Sequence, residues 1–162
     1  EEAAEYLQVV SLRDCQMAEL EEHASAMDPI LVRRARHVIG EIDRTSTAAE
    51  TVRNGDWVKT GQLMYASHQS LKQDYEVSCR ELDVLVELAG DINLDGGVYG
   101  ARMTGAGFGG CTVSLVRSDA VESIAETLAA GYEERTGIQP TMFVSRPAEG
   151  AKVWSEPHHR AP

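Results

Sequence analysis

The spacing of apolar and polar positions changes once along this chain. Up to about residue 95 the apolar positions recur at helical intervals; beyond it, stretches with a period of two appear. Leu12 to Ala26 carries Leu, Met and Glu without a breaker and predicts a helix. Pro29 then punctuates, and a long helix is predicted from about Ile30 to Arg53. Its stripe Leu31, Ala35, Val38, Ile42, Thr45, Ala49, Val52 steps by 4, 3, 4, 3, 4, 3, which is one continuous face. Asn54-Gly55-Asp56 should end it, because Asn and Gly tolerate a left-handed cap and Asp56 can cap the next helix. That helix should run from about Trp57 to Asp74, with Trp57, Gly61, Met64, His68 and Leu71 on one stripe. Another should span Arg80 to about Gly90, with Leu82, Leu85, Val86 and Ala89 inward. These lengths and short connections predict three antiparallel helices.

Val98 to Thr104 reads as a strand by composition, and Cys111 to Val116 alternates apolar and polar residues. Asp119-x-x-Glu122 has the spacing of a capping box, opening a helix with Val121, Ala125, Leu128 and Tyr132 inward. Gly137 and Pro140 should stop that helix. Thr141 to Ser145 suggests a short strand, and Glu149-Gly150 a turn into another at Ala151 to Trp154. Ser155 to Pro162 is polar and should fray. No internal repeat shows. The order of elements predicts an α+β fold, with helices packed on one face of a small antiparallel sheet.

Composition adds limits to this outline. The chain has 162 residues, 43% of them hydrophobic and 25% charged, an ordinary globular balance. Its net charge of −11 would repel phosphate backbones and anionic lipid, which argues against nucleic acid and membrane surfaces as partners. No apolar run approaches the roughly 20 residues of a spanning helix. The cysteines, Cys15, Cys79 and Cys111, form no C-x-x-C and no Cys/His cluster. Neither a disulfide framework nor a zinc site is indicated, and free thiols in a cytoplasmic protein are expected. The N-terminus is acidic and shows no signal-peptide pattern. A start at Glu1 without Met hints at processing or a fragment.

The most informative segment is Met103-Thr104-Gly105-Ala106-Gly107-Phe108-Gly109-Gly110-Cys111. Four glycines in six residues between two strands imply backbone angles or approaches that a Cβ would forbid. Successive N–H groups in such a loop can form a concave nest for an anion; a hairpin that merely packs its strands closely is the competing explanation. Gly105-x-Gly107-x-x-Gly110 matches a dinucleotide fingerprint, but that fingerprint needs a helix after it, and Cys111 to Val116 reads as a strand. A P-loop fails because no G-K-[ST] succeeds the glycines.

Gly100 to Thr112 as a run resembles the third conserved motif of the GHMP small-molecule kinases. The resemblance narrows to their galactokinase branch through two further runs. One is Arg33-Arg34-Ala35-Arg36-His37-Val38 with Glu41. The other is Met64 and Ser67-His68-Gln69-Ser70-Leu71, leading to Asp74-Tyr75-Glu76-Val77-Ser78-Cys79 and Glu81-Leu82-Asp83. Gly150-Ala151-Lys152-Val153 fits as well, so the similarity covers about Ser11 to Val153. Ala106 stands where many members have Gly, the smallest possible departure.

The resemblance implies a ferredoxin-like C-terminal domain of such a kinase over residues 1–154, with a flexible tail over 155–162. It implies a sugar kinase that transfers the ATP γ-phosphoryl to the anomeric hydroxyl of galactose. ATP and Mg2+ are its implied cofactors, and a missing N-terminal half is its implied partner. A kinase for a related sugar, or a non-catalytic galactose and ATP sensor, would share these motifs, and a free-standing module is a third possibility. The family's catalytic Asp and Arg and its phosphate-wrapping loop have no match here, so no catalytic residue and no metal ligand is assigned. The cofactor-binding expectation rests on Gly105, Ala106, Gly107, Phe108, Gly109 and Gly110, which in the family support the phosphate loop at the interdomain cleft. The isolated chain is expected to be inactive.

The remaining candidates have plainer explanations. His68 should be a hydrogen-bonded core residue, and Asp74-Tyr75 a capping and packing pair. Arg33, His37 and Glu41, at i, i+4 and i+8, should form a solvated or interdomain ion-pair ladder. His158-His159 belongs to the tail.

Overall fold

A computed structural model describes residues 1–146. The expected turn and strand at Glu149 to Trp154, the limit of the domain at 154 and the tail all lie outside the described residues. Six α-helices and two strands occur in the order α1 (Glu2–Tyr6), α2 (Met17–His23), α3 (Pro29–Arg53), α4 (Trp57–Gln73), α5 (Arg80–Ile92), β1 (Val98–Thr104), β2 (Cys111–Val116) and α6 (Val121–Thr136). Helices dominate and the antiparallel sheet is small, as an α+β arrangement requires.

The sharpest boundaries have local causes. Asp28 accepts from the Ile30 N–H at 2.7 Å and Pro29 opens α3 at a position that needs no donor. Asp56 does the same for α4 through the Lys59 N–H at 2.9 Å. Gly137 ends α6 in the left-handed region, φ +73°.

Other boundaries differ from the pattern. The helix expected over Leu12 to Ala26 is three pieces, two of them 3-10 turns at Leu12–Asp14 and Ala24–Ala26. Cys15 and Gln16 are extended, because Ser11 caps the first turn and the Glu19 carboxylate takes the Gln16 N–H. The capping box at Asp119 is absent: Ala120 precedes α6, and the Asp119 carboxylate accepts from Arg117 Nε instead. Thr141 to Ser145 is not a strand. The described sheet has two members, β1 and β2, and Phe143 and Val144 stand exposed. Without a ladder partner among the described residues, apolar and β-branched composition alone does not make a strand.

Two apolar clusters flank a polar seam. The first joins α5, β1 and α6 through Val84, Val86, Leu88, Ala89, Val98, Ile124 and Leu128. The second joins the N-terminal turns to the first half of α3 through Leu20, Met27, Val32, Ala35 and Ile39. Between them lies α4, whose buried residues are Thr60, Gly61, Ser67, His68 and Ser70. Its crossing with β1 is backbone on backbone: a Cβ on Gly61 would lie 1.9 Å from the Tyr99 carbonyl oxygen, and one on Gly100 would lie 2.3 Å from that of Gly61. Glycine at both positions is therefore a steric requirement. The antiparallel pair runs from Val98 opposite Val116 to Thr104 opposite Cys111, with one irregularity between Val98 and Gly100. That register delivers the glycine segment as the connection between the strands.

Candidate functional site: the glycine loop and its seat

The loop from Gly105 to Gly110 is built on left-handed backbone. Gly105 has φ +90°, Gly107 +88°, Phe108 +56°, Gly109 +136° and Gly110 +110°. Only glycine adopts such angles freely, which accounts for the four glycines. Phe108 is the exception. A non-glycine residue held there costs about 1–2 kcal/mol, and its ring is 76% exposed, so no packing of its own offsets that cost. Outliers of this kind concentrate at functional sites.

What holds Phe108 is its N–H, which donates to the Val77 carbonyl at 2.7 Å. Gly107 lies against the same residue: a Cβ there would come within 2.4 Å of the Val77 oxygen. The close approach expected of this loop is thus made to its own protein seat. Gly105 and Gly109, by contrast, face open space. Among the described residues, the N–H groups of Gly105, Ala106, Gly107, Gly109 and Gly110 meet no hydrogen-bond acceptor. An exposed row of unspent amide donors is what an anion-binding loop presents.

The seat is the segment from Asp74 to Cys79, and it is tied down at nearly every residue. Arg34 donates to the Asp74 carbonyl, and Arg33 and Arg34 both reach the Glu76 carboxylate, at 3.3 and 2.7 Å. Those donors hold the Glu76 carboxyl below its ordinary range. Tyr75 stacks on His37 with ring centroids 4.5 Å apart. The Ser70 hydroxyl donates to Asp74 at 2.9 Å, so the 3.0 Å contact between Ser70 and His37 Nδ1 requires the proton on that nitrogen. Ser78 Oγ donates to Asp83 at 2.6 Å.

His68 completes the arrangement. The Met103 N–H donates to its Nδ1 at 3.3 Å, so its Nε2 carries the proton and faces Asp83 Oδ1 at 3.2 Å. Burial pushes the His68 pKa down, against the opposing pull of Asp83, and the ring stays neutral near pH 7. Burial alone would raise the Asp83 carboxyl. Hydrogen bonds from Lys72 and Ser78 outweigh it and hold this group below the usual carboxylate range.

These contacts decide the sequence expectations. His68 is a buried, hydrogen-bonded core histidine, and Asp74 with Tyr75 caps and packs the end of α4. The solvated ladder on α3 is corrected. His37 is buried, and Glu41 accepts from Ser67 Oγ at 2.7 Å and pairs with Arg44, so this face is the seam with α4. Arg102, on β1, sits 3.9 Å from Glu41. Two open grooves, of ≈ 190 and ≈ 400 Å³, run along α3 and share Glu41 and Thr45. Neither is lined by a loop residue, and the chemistry of the loop lies in its backbone rather than in a cavity. The seating role of Val77 has no signal of its own in the sequence; the Asp74 to Cys79 run flags its neighbourhood without saying what it touches. Among the described residues, no three His, Cys, Asp or Glu side chains group so as to hold a metal ion.

The chain belongs to the GHMP kinases, whose C-terminal family profile matches residues 48–134. Within that class it is similar to galactokinases. It is 48% identical over 153 residues to the galactokinases of Bos taurus and of Homo sapiens. Those matches take in 94% of this chain but 37% of each relative's length. The crystal structure of Lactococcus lactis galactokinase complexed with galactose superposes with a TM-score of 0.77 at 40% identity. That superposition covers 85% of this chain and 37% of the other.

Proposed function

We propose that this chain is the C-terminal part of a galactokinase-like enzyme, which transfers the γ-phosphoryl group of ATP to the anomeric hydroxyl of galactose. The observation that carries the reading is the left-handed glycine loop. Its N–H groups that meet no acceptor among the described residues, presented at the end of a β-hairpin and backed by a seat tied at nearly every residue, suit the oxygens of a nucleotide phosphate. Gly105, Ala106, Gly107, Phe108, Gly109 and Gly110 are assigned to support of that phosphate site. The galactose in the Lactococcus lactis structure supports the choice of sugar.

Phosphoryl transfer is mostly positioning and electrostatic stabilisation. This chain contributes amide dipoles and closeness of approach. Its loop holds no lysine, arginine or carboxylate, so the general base and the cationic clamps fall to the rest of the protein. Magnesium is implied by the use of ATP, and no step is assigned to the metal. The isolated chain, at about 37% of its relatives' length, is read as inactive, and the whole protein as cytoplasmic.

A coupled assay of ADP release tests this on the longer protein that contains the chain. ATP- and galactose-dependent turnover is expected. Binding of galactose without turnover would mark a sensor and overturn the catalytic reading.

A further inference from the structure

The root and the tip of the glycine loop are fixed to different parts of the molecule, yet both attachments converge on one carboxylate. At the root, the Met103 N–H rests on His68 Nδ1, and His68 Nε2 faces Asp83 Oδ1 at 3.2 Å. At the tip, the Phe108 N–H rests on the Val77 carbonyl, and the next residue, Ser78, donates to the same Asp83 oxygen at 2.6 Å. The other Asp83 oxygen takes Lys72 Nζ at 2.8 Å. Asp83 lies on α5 between the buried Leu82 and Val84.

We propose that Ser78 and Asp83 are positioning residues for the glycine loop, a strut that sets the distance between its root at Met103 and its tip at Phe108. Neither touches the loop directly; each acts through a neighbour, Ser78 through Val77 and Asp83 through His68 and Ser78. The strained Phe108 backbone explains the need. A residue costing about 1–2 kcal/mol in the left-handed region stays there only if its surroundings over-determine it. Arg33, Arg34 and His37 hold the seat on the Asp74–Glu76 side of Val77; on the other side the holding contact is that of Ser78 with Asp83. Tying that carbonyl's neighbour to a charged, half-buried hub completes the restraint. The significance of the strut for phosphate binding rests on the function proposed above; the strut itself does not.

Ser78 also lies just ahead of α5, where a hydroxyl bonded to Asp83 could simply steady the helix start. Amide hydrogen exchange separates the two roles, measured on the 162-residue chain. Ser78→Ala is expected to speed exchange at Phe108 roughly tenfold or more, because the bond lost is to a charged group. Amides of α6 should be unchanged, and Ser78→Thr, which keeps the hydroxyl, should restore protection at Phe108. Asp83→Ala should speed exchange at both Phe108 and Met103. If that variant does not fold, the Ser78 pair alone decides. Faster exchange confined to the first turn of α5, with Phe108 unaltered, would overturn the proposal. In the longer protein, Ser78→Ala should raise the KM for ATP more than that for galactose. An unchanged ATP KM beside faster Phe108 exchange would leave the strut standing and remove the phosphate-support reading of the loop.

Discussion

Single glycines carry the most specific consequences of this structure, and they do so for different reasons. Gly61 meets Gly100 where α4 crosses β1, with no room for a methyl group on either side. Gly61→Ala should cost at least about 2 kcal/mol, since the obstructing atoms are backbone and cannot rotate away. Urea denaturation of the purified chain checks this; an unchanged midpoint would contradict the crossing. Gly107 meets Val77 rather than a structural core. Gly107→Val should therefore unseat the loop and abolish turnover in the longer protein while the chain still folds, with a loss of unfolding free energy of about 1–2 kcal/mol, the cost of a side chain in the left-handed region. Full activity in that variant would sink the role given to the loop. At this scale the sequence is informative about glycine and silent about partners. The run from Gly105 to Gly110 announces unusual backbone, but nothing in it names Val77, which lies some 30 residues upstream and reaches the loop only through the fold.

At the scale of elements, hydrophobic period and composition locate α3, α4, α5, both strands and α6 to within a few residues. It misjudges which faces are covered. The stripe predicted on α3 runs through Leu31, Ala35, Val38, Ile42, Thr45, Ala49 and Val52, of which Ala35 alone is fully buried. The buried positions are Val32, Ala35, His37 and Ile39; in the last half of the helix no residue is fully buried, although Glu41 and Thr51 bond to Ser67 and Thr60 of α4. The reason is that the N-terminal cluster covers α3 over its first half only, while α4 runs along another side of both halves. A single-stripe reading presumes one neighbour along the whole length. Trp57 fails for the same reason, being 42% exposed where the stripe of α4 placed it inward. Opposite outcomes are expected for two substitutions, read by thermal unfolding. Leu20→Ala, at a side chain with 0% exposure, should destabilise by about 2–5 kcal/mol. Val52→Ser, at an exposed side chain near the end of α3, should fall within about 0.5 kcal/mol of the parent. Equal effects would mean that the N-terminal cluster is not a core. Short elements are the least legible. The break at Cys15 and Gln16 depends on a side chain from three residues further on, Glu19, competing for a backbone donor.

The molecule as a whole is two apolar clusters held together by a polar seam, and the seam gives stability a pH dependence. Burial depresses the pKa of both His37 and His68. In the unfolded chain each would titrate near about 6.5. Between that value and the lower folded one, the unfolded state binds more protons, so stability is complete above about pH 6.5 and falls as pH drops through the folded values. Lowering pH also relieves the net charge of −11, which acts in the opposite direction. In about 0.5 M salt, which screens that repulsion, Tm should decrease from pH 7.5 to pH 5.5. The double variant His37→Gln, His68→Gln should flatten the decrease. A Tm with the same pH slope in parent and double variant would contradict a neutral, buried pair. Charge balance argues against whole classes of partner, but it cannot reveal this seam, because a histidine in a sequence does not show whether it is buried. Three separated motif runs do point to one place. They meet in the structure as the two arginines, the histidines and the carboxylates that surround the loop's seat.

The central claim is that this glycine loop serves phosphoryl transfer to a sugar, and that it does so only in company. The most direct measurement is galactose 1-phosphate formation from ATP, run side by side on the 162-residue chain and on the longer protein that contains it. Product from the longer protein, and none from the chain alone, is the predicted result. Product from the chain alone, or a longer protein that phosphorylates no sugar, would contradict it.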